Sequence, residues 1–142
     1  NFKEINSIIH THSKYATIFA QSRKEIPILG TTHADYFKGN IPITEELGND
    51  EIKNNYEQNI GKKIVKLFNN INPKEIPAAL IVNHGSVVFG ETPKECLENA
   101  QVLEYIAEIA YLNNGIEITE NEKFLYKFHY ERKHGKDKYY GQ

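Results

Sequence analysis

An amphipathic stripe in the middle of the chain is the clearest structural signal in the sequence. Apolar side chains recur every four residues between about Asp50 and Asn69, which is the spacing of one face of an α-helix. The stripe consists of Ile52, Tyr56, Ile60, Ile64 and Phe68. Because Pro73 and Pro77 follow it, and proline does not continue a helix, we predict one unbroken helix that ends before them.

Capping patterns predict two further helices in the second half of the chain. Thr92 precedes Glu95, and Thr119 precedes Glu122, by three residues each, which is the spacing of a capping box. The first of these helices is expected to run to about Asn113, with Cys96, Ala100, Leu103, Ala107 and Ala110 facing inward. The second has an apolar side of Phe124, Leu125 and Phe128, and Gly135 is expected to end it. A shorter helix after Ser13 carries Tyr15, Ile18 and Phe19 on one face.

Short β-branched or apolar runs predict the strands. We expect strands at residues 6–12 and 87–89, and a fully buried strand at residues 78–82, where the run is continuously apolar. Residues 28–37 are expected to be partly extended, with a loop following. Strands and helices would then share one core in a mixed α/β domain that spans residues 1–142.

Composition narrows the classes of function. The 142 residues carry a formal net charge of −2 and no block of Lys or Arg, so a nucleic-acid surface is not indicated. No apolar run approaches the length of a membrane span, and no signal peptide opens the chain. A single cysteine, Cys96, favours a reducing compartment and a cytoplasmic location. Methionine is absent and Asn1 is first, which indicates that the native start precedes this sequence.

Histidines provide the strongest candidate chemistry. His10 and His12 are two residues apart in a predicted strand, so both side chains project from one face and can reach one cation. The alternative, one histidine in the core and one in solvent, is about as plausible from spacing alone. His84 lies between a buried strand and a glycine, and would complete the three-nitrogen ligand set typical of catalytic zinc. His33 competes for that third place.

Two other segments contain polar groups of less specific character. Asp35, in the segment GTTHADYF at residues 30–37, could move protons beside a metal, but a loop whose Thr and Asp side chains bond their own backbone is the simpler interpretation. The run HYERKH at residues 129–134 places His129, Arg132 and Lys133 on one helix face. Either cation could meet a phosphate, although a solvated charged face is more common.

Four segments of this chain resemble the L-ribulose-5-phosphate 4-epimerases, a branch of the class II aldolase family. They are HTHSKYATIFAQ at residues 10–21, GTTHADYF at 30–37, NHG at 83–85, and the ending HYERKHG and YYGQ at 129–135 and 139–142. The first and third segments are typical of the whole superfamily, whereas the second and fourth are typical of the epimerase branch. The resemblance runs through the whole chain in order.

The resemblance implies a fold and a set of site residues. The expected fold is a three-layer α/β/α arrangement around a central, largely antiparallel sheet, whose N-terminal strands would precede this chain. His10, His12 and His84 match the ligands of a zinc ion, for which manganese or cobalt could substitute. Asp35 and Tyr140 match catalytic acid/base groups, and His129 matches a residue supplied across a subunit interface. Thr31, Glu57 and Arg132 are the expected substrate-binding residues.

The resemblance also implies a reaction and an assembly. L-ribulose 5-phosphate and D-xylulose 5-phosphate would interconvert at C4 by cleavage and re-formation of the C3–C4 bond, in a homotetramer with active sites between neighbouring subunits. A related enzyme such as an L-fuculose-phosphate aldolase, or a non-catalytic metal-binding module, remains an alternative. The family's phosphate-binding loop and an acidic residue at its metal site lie in a region before this sequence, so we expect this chain alone to hold metal but to lack normal activity.

Overall fold

The computed structural model describes residues 2–113, 115–136 and 138–139. This part of the chain forms three strands and six helices. In order they are β1 Ser7–Thr11, α1 Lys14–Gln21, α2 Gly30–Tyr36, α3 Asn49–Lys53, α4 Tyr56–Leu67, β2 Ala78–Ile81, β3 Gly85–Gly90, α5 Pro93–Asn113 and α6 Glu120–His134. Among the described helices, none combines the length and apolar character needed to cross a membrane.

The strands form one antiparallel sheet in the order β1-β3-β2. At one end of the sheet Thr11 of β1 pairs with Ser86 of β3, and at the other end Ser7 pairs with Gly90. The β2–β3 connection lies at the Thr11 end, because Ile81 pairs with Gly85. The end of β1 and the turn before β3 are therefore neighbours in space.

Helices cover both faces of the sheet, so the expected three-layer α/β/α arrangement is confirmed. On one face, alternate strand residues such as Leu80 and Val88 pack against the buried sides of α1 and α5. On the other face, Val87 and Phe89 pack against α4 and Phe68. The alternation of side chains along each strand separates the two hydrophobic clusters.

The long predicted helix is interrupted, which corrects the prediction of one unbroken element. Helix α3 ends at Lys53, and α4 begins at Tyr56 after Asn55, whose φ of 58° is left-handed. The side-chain amide of Asn59 donates hydrogen bonds to the backbone carbonyls of Glu51 and Asn54, at 2.9 and 2.7 Å. These bonds stabilise the interruption, and the apolar stripe could not reveal it.

Two other segments differ from prediction. Residues 30–36 form a helix rather than an extended segment, beginning at Gly30 with a left-handed φ of 76° that glycine adopts at little cost. The apolar side of α6 faces away from the rest of the chain, since Phe124 is 74% exposed while Tyr126 and Tyr130 are buried. Tyr126 and Tyr130 form the packed side of α6 because this helix lies against α2, which is polar.

Helix α5 matches its prediction closely. Its inward positions Cys96, Leu103, Ala107 and Ala110 are buried, and the hydroxyl of Thr92 accepts a hydrogen bond from the Glu95 backbone N–H at 3.2 Å. Burial raises the pKa of the Cys96 thiol, which lies 3.4 Å from the Val88 carbonyl. Cys96 is a packing residue, as expected.

Candidate metal centre

Three histidines meet at the Thr11 end of the sheet. His10 is opposite Val87 in the β1–β3 register and therefore projects toward the layer that contains α4. His12 follows two residues later, immediately after β1. His84 lies in the turn between β2 and β3, where Asn83 adopts a left-handed φ of 59° and the His84 N–H donates to the Ile81 carbonyl at 3.0 Å.

The three imidazoles converge on one point. The Nε2 atom of His10 lies 3.0 Å from Nε2 of His12 and 3.1 Å from Nε2 of His84. The rings stand nearly perpendicular to one another, with centroids 4.8–4.9 Å apart. The ligand atoms of all three lie within 4.8 Å of one another, so the three side chains form one compact donor set.

The tautomer of His10 follows from its other ring nitrogen. Nδ1 lies 2.8 Å from the carbonyl oxygen of Ser86, which can only accept, so Nδ1 carries the proton and donates it. Nε2 of His10 is then unprotonated, and its lone pair points at the other two imidazoles. Crowded lone pairs of this kind repel each other unless a proton or a cation lies between them.

Glycine at position 85 permits the close approach of the two chain segments. A Cβ atom on Gly85 would lie 2.4 Å from the backbone oxygen of Thr11 and 2.9 Å from Cδ2 of His12. No other residue type can occupy this position without moving β1 or the His12 ring. Gly85 is thus a local requirement for bringing His84 to the His10–His12 pair.

His84 has a second partner that the sequence did not indicate. Its Nδ1 lies 3.0 Å from the hydroxyl of Tyr56, the first residue of α4. Partial burial, and secondarily the neighbouring His10 and His12 rings, lower the pKa of His84 below its ordinary value. A lowered pKa favours the neutral imidazole, which is the form that binds a metal.

The donor set fits a divalent cation. Nitrogens at about 2.05 Å from a tetrahedral zinc are separated by about 3.3 Å, close to the His10 separations above. Three neutral ligands also leave most of the charge of the cation uncancelled and one coordination position open for a substrate oxygen. This end of the sheet could therefore hold a divalent metal in a catalytic type of site.

His33, the competing third ligand, lies elsewhere. It is fully buried in α2, and its Nε2 donates to the Gly39 carbonyl at 2.9 Å. Burial lowers the pKa of His33 to about 4. It is a neutral core histidine, whereas Nε2 of His84 lies 3.1 Å from Nε2 of His10.

A second polar cluster surrounds Asp35, and it does not adjoin the histidines. One carboxylate oxygen of Asp35 lies 3.0 Å from Nδ1 of His129 and 3.7 Å from the Arg132 guanidinium, and the other lies 3.4 Å from the Lys133 ammonium. These side chains are between 17% and 25% exposed. The run at residues 129–134 was interpreted as a solvated charged face, and Asp35 as part of a loop that bonds its own backbone. Both interpretations are wrong, because α6 turns this face toward α2.

The Asp35 cluster borders a cavity of about 500 Å³ at the other end of the sheet. Its walls include Asp35, Lys133, Pro77, Gly90 and Glu91. Four residue steps along β1 separate this end from the histidines, or roughly 14 Å at the rise of a β-strand. A single chain therefore does not bring Asp35 and the three imidazoles to one point.

The remaining predicted site residues are dispersed. Thr31 is half-buried in the first turn of α2, and Glu57 is exposed in the first turn of α4. Arg132 belongs to the Asp35 cluster, where it also lies 3.2 Å from Nδ1 of His129. Tyr140 lies outside the described residues.

Sequence reasoning missed two contributors to these clusters. Tyr56 was assigned to an apolar stripe, although tyrosine in such a stripe carries a hydroxyl that needs a polar partner. His134 received no role, yet its Nε2 lies 2.9 Å from the backbone oxygen of Asp35. The residue type of Tyr56 was a signal that could have indicated its role, whereas nothing in the sequence indicated a role for His134.

Comparison with known proteins assigns the family. Residues 1–111 match the family described as class II aldolase and adducin N-terminal domain. The chain belongs to this family. The assignment agrees with a mixed α/β fold that brings three histidines together at one edge of its sheet.

Individual relatives show which members of the family the chain is similar to. The chain is 38% identical to the L-ribulose-5-phosphate 4-epimerase UlaF of Salmonella paratyphi C over 99% of its own length and 63% of the relative. Among solved structures, an L-fuculose 1-phosphate aldolase aligns with 87% of this chain and 55% of its own at a TM-score of 0.66 and 22% identity. The L-fuculose 1-phosphate aldolase from Glaciozyma antarctica PI12 aligns with 88% of this chain and 44% of its own, at a TM-score of 0.60 and 20% identity. The chain thus spans under two thirds of these relatives, and the structural matches support the fold alone.

Proposed function

We propose that this chain is the metal-binding part of an L-ribulose-5-phosphate 4-epimerase that uses zinc, with manganese or cobalt as possible substitutes. The convergence of His10, His12 and His84 carries the proposal, because three neutral nitrogens with an open position suit a catalytic zinc. The 38% identity to an epimerase supports the choice of reaction.

The proposed chemistry follows from the acidity of the substrate. The hydrogen on C4 of a ketopentose phosphate is not acidic, so direct deprotonation there is a poor route. A base instead removes the proton of the C4 hydroxyl, and the C3–C4 bond breaks. The aldehyde fragment rotates, the bond re-forms on its opposite face, and a proton returns to the new C4 oxygen. A bound divalent cation would supply the Lewis acid that stabilises negative charge on the ketone fragment.

Two groups of this chain are assigned to the proton transfers. Asp35 acts on one face of the substrate and Tyr140 on the other, which inversion at C4 requires. His129 and Arg132 hold the Asp35 carboxylate through contacts of 3.0 and 3.7 Å. Thr31, Glu57 and Arg132 are assigned to substrate hydroxyl and phosphate oxygens, and further phosphate-binding residues are expected outside this chain, which spans 63% of the epimerase relative.

The active site is proposed to form between two copies of the protein. The Asp35 cluster lies at the end of the sheet opposite the three imidazoles, so Asp35, Tyr140 and His129 of one subunit would serve the metal of a neighbour. Cyclic symmetry repeats this head-to-tail contact, and we propose a tetramer. The exposed side chains of Phe124 and Phe128 on α6, at 74% and 46%, offer apolar surface for such contacts. We also propose a cytoplasmic location.

Subunit mixing in the natural full-length protein tests this function and its assembly together. The Asp35→Asn variant and the His10→Ala/His12→Ala variant should each lose roughly 100-fold or more in turnover of L-ribulose 5-phosphate to D-xylulose 5-phosphate. Dissociation and reassembly of an equal mixture should restore roughly a quarter of the sites, because about one site in four then combines an intact histidine half from one subunit with an intact Asp35 half from its neighbour. A mixture that stays inactive after reassembly would contradict the shared site.

Product analysis separates the epimerase from its alternatives. A class II aldolase of the L-fuculose-phosphate type would condense dihydroxyacetone phosphate with an aldehyde and release the aldehyde in reverse. A non-catalytic metal-binding module would hold stoichiometric metal and turn over neither substrate. Accumulation of D-xylulose 5-phosphate, without release of an aldehyde, is the expected result.

A further inference from the structure

The outward nitrogens of the candidate ligands have different kinds of partner. Nδ1 of His10 donates to a backbone carbonyl, that of Ser86, which no substitution at position 86 removes. Nδ1 of His84 lies 3.0 Å from the side-chain hydroxyl of Tyr56. His84 is also the ligand that comes from a turn rather than from the end of a strand, so its ring depends more on side-chain contacts for its orientation.

The direction of the His84–Tyr56 hydrogen bond follows from the chemistry of the site. If Nε2 of His84 is to offer a lone pair to a cation, the single proton of the neutral ring must reside on Nδ1. Nδ1–H then donates to the Tyr56 oxygen, and the phenol proton remains free to donate elsewhere. Hydrogen bonds of this type fix the tautomer and the rotation of a ligand ring.

Tyr56 is itself held by the interruption between α3 and α4. The left-handed Asn55 directly precedes it, and the buried amide of Asn59 bonds the carbonyls of Glu51 and Asn54 on the other side of the interruption. Tyr56 therefore begins α4 instead of continuing α3. Its ring lies nearly parallel to that of His84, with an interplanar angle of 9° and centroids 6.2 Å apart.

We propose that Tyr56 is a positioning residue for the metal ligand His84, and that Asn59 maintains the backbone interruption that places Tyr56. The proposal rests on the metal centre proposed above. It assigns to the α3–α4 junction a role in metal affinity, whereas a continuous amphipathic helix would serve only the core. The hydroxyl of Tyr56 is the decisive group, because it is the atom that lies within hydrogen-bonding distance of the ligand His84.

Removal of that hydroxyl alone provides the test. In Tyr56→Phe, the dissociation constant for Zn²⁺, measured by competition with a chromophoric chelator, should rise about 10-fold. The matched control is Tyr105→Phe, which removes a hydroxyl from a 53% exposed side chain on α5 and should leave the constant unchanged. In ¹⁵N-labelled zinc-bound protein, the Nδ1–H resonance of His84 should shift in Tyr56→Phe and stay in place in the control.

A second variant links the junction to the same hydroxyl. Asn59→Asp removes the amide donor and should weaken Zn²⁺ binding by a smaller factor. The double variant Tyr56→Phe/Asn59→Asp should bind no more weakly than Tyr56→Phe, because both changes act through one hydrogen bond.

The outcomes distinguish the inference from the metal centre on which it rests. A Tyr56→Phe protein that binds Zn²⁺ within twofold of the unmodified chain, with an unchanged His84 resonance, overturns the positioning role and leaves the metal centre intact. A loss of thermal stability without a change in affinity has the same meaning. An unmodified chain that binds no stoichiometric Zn²⁺ overturns both.

Discussion

The two ends of the sheet differ in the polar and charged groups that meet there. At the histidine end, three imidazoles converge, and Nε2 of His10 lies 3.0 and 3.1 Å from the Nε2 atoms of the other two. At the other end, the carboxylate of Asp35 already has His129, Arg132 and Lys133 around it. One end gathers ring nitrogens that suit a cation, whereas the other already pairs a carboxylate with basic side chains.

This difference indicates that the two ends of the sheet have separate expected roles. The three histidines come together within a single chain, so this end is expected to bind metal without help from other copies. The Asp35 end has a carboxylate but lies away from His10, His12 and His84, and roughly 14 Å of sheet separates the two ends. We therefore expect metal binding to be a property of one chain and catalysis to be a property of an assembly.

Loss of metal is the largest effect expected, and it should follow changes at one end only. The triple variant His10→Ala/His12→Ala/His84→Ala should contain no stoichiometric metal by elemental analysis, because none of the converging nitrogens remains. Asp35→Asn should retain the full complement of metal. Metal loss in Asp35→Asn would show that the two ends are not independent.

Acid should weaken the fold through α2, the helix that carries Asp35. Burial lowers the pKa of His33 in the folded chain to about 4, from 6.5 in the unfolded chain. Above pH 6.5 neither state binds the proton, so the full stability is present. Between pH 6.5 and 4 only the unfolded chain binds it, and the free energy of unfolding should fall by about 3 kcal/mol before levelling off below pH 4.

The contribution of His33 is isolated by a difference between two proteins. Urea unfolding at pH 7 and pH 4.5 should show a larger loss in the unmodified chain than in His33→Gln, which keeps an N–H donor for the Gly39 carbonyl but does not titrate. Carboxylate contributions are common to both proteins and cancel. Equal losses in the two proteins would remove His33 as the acid-sensitive group.

A smaller effect is expected from a single methyl group at the histidine end. Gly85→Ala places Cβ 2.4 Å from the Thr11 oxygen, so β1 must shift, with an expected cost of about 1–3 kcal/mol in unfolding free energy and weaker Zn²⁺ binding. Gly61→Ala is the matched control, because its Cβ would meet no atom within 4 Å in α4 and should add about 0.5–1 kcal/mol of stability. Both are measured by urea unfolding, and unchanged metal affinity in Gly85→Ala would contradict the close-approach argument.

Local signals predicted those elements whose determinants lie near one another in sequence. The Thr92 and Thr119 caps correctly located the starts of α5 and α6, and the apolar run at residues 78–82 correctly marked a buried strand. Local patterns did not predict the interruption at Asn55. The hydrogen bonds that stabilise it are donated by the Asn59 side chain, and the spacing of apolar residues carries no information about them. Local patterns also failed at residues 129–134, since a charge run looks the same whether it faces solvent or Asp35.

The sequence by itself identified the candidate residues: two histidines at strand spacing, a third beside a glycine with His33 as its competitor, and segments that resemble one enzyme family. Tertiary structure alone decided their arrangement. Strand pairing brings His84 to within 3.1 Å of His10 across 74 positions of chain, whereas the packing of α2 against α6 places Asp35 near the far end of the sheet. The physical reason is that contacts between distant segments depend on the pairing register and on the packing of helices, and neither is encoded in the spacing of residues along one segment.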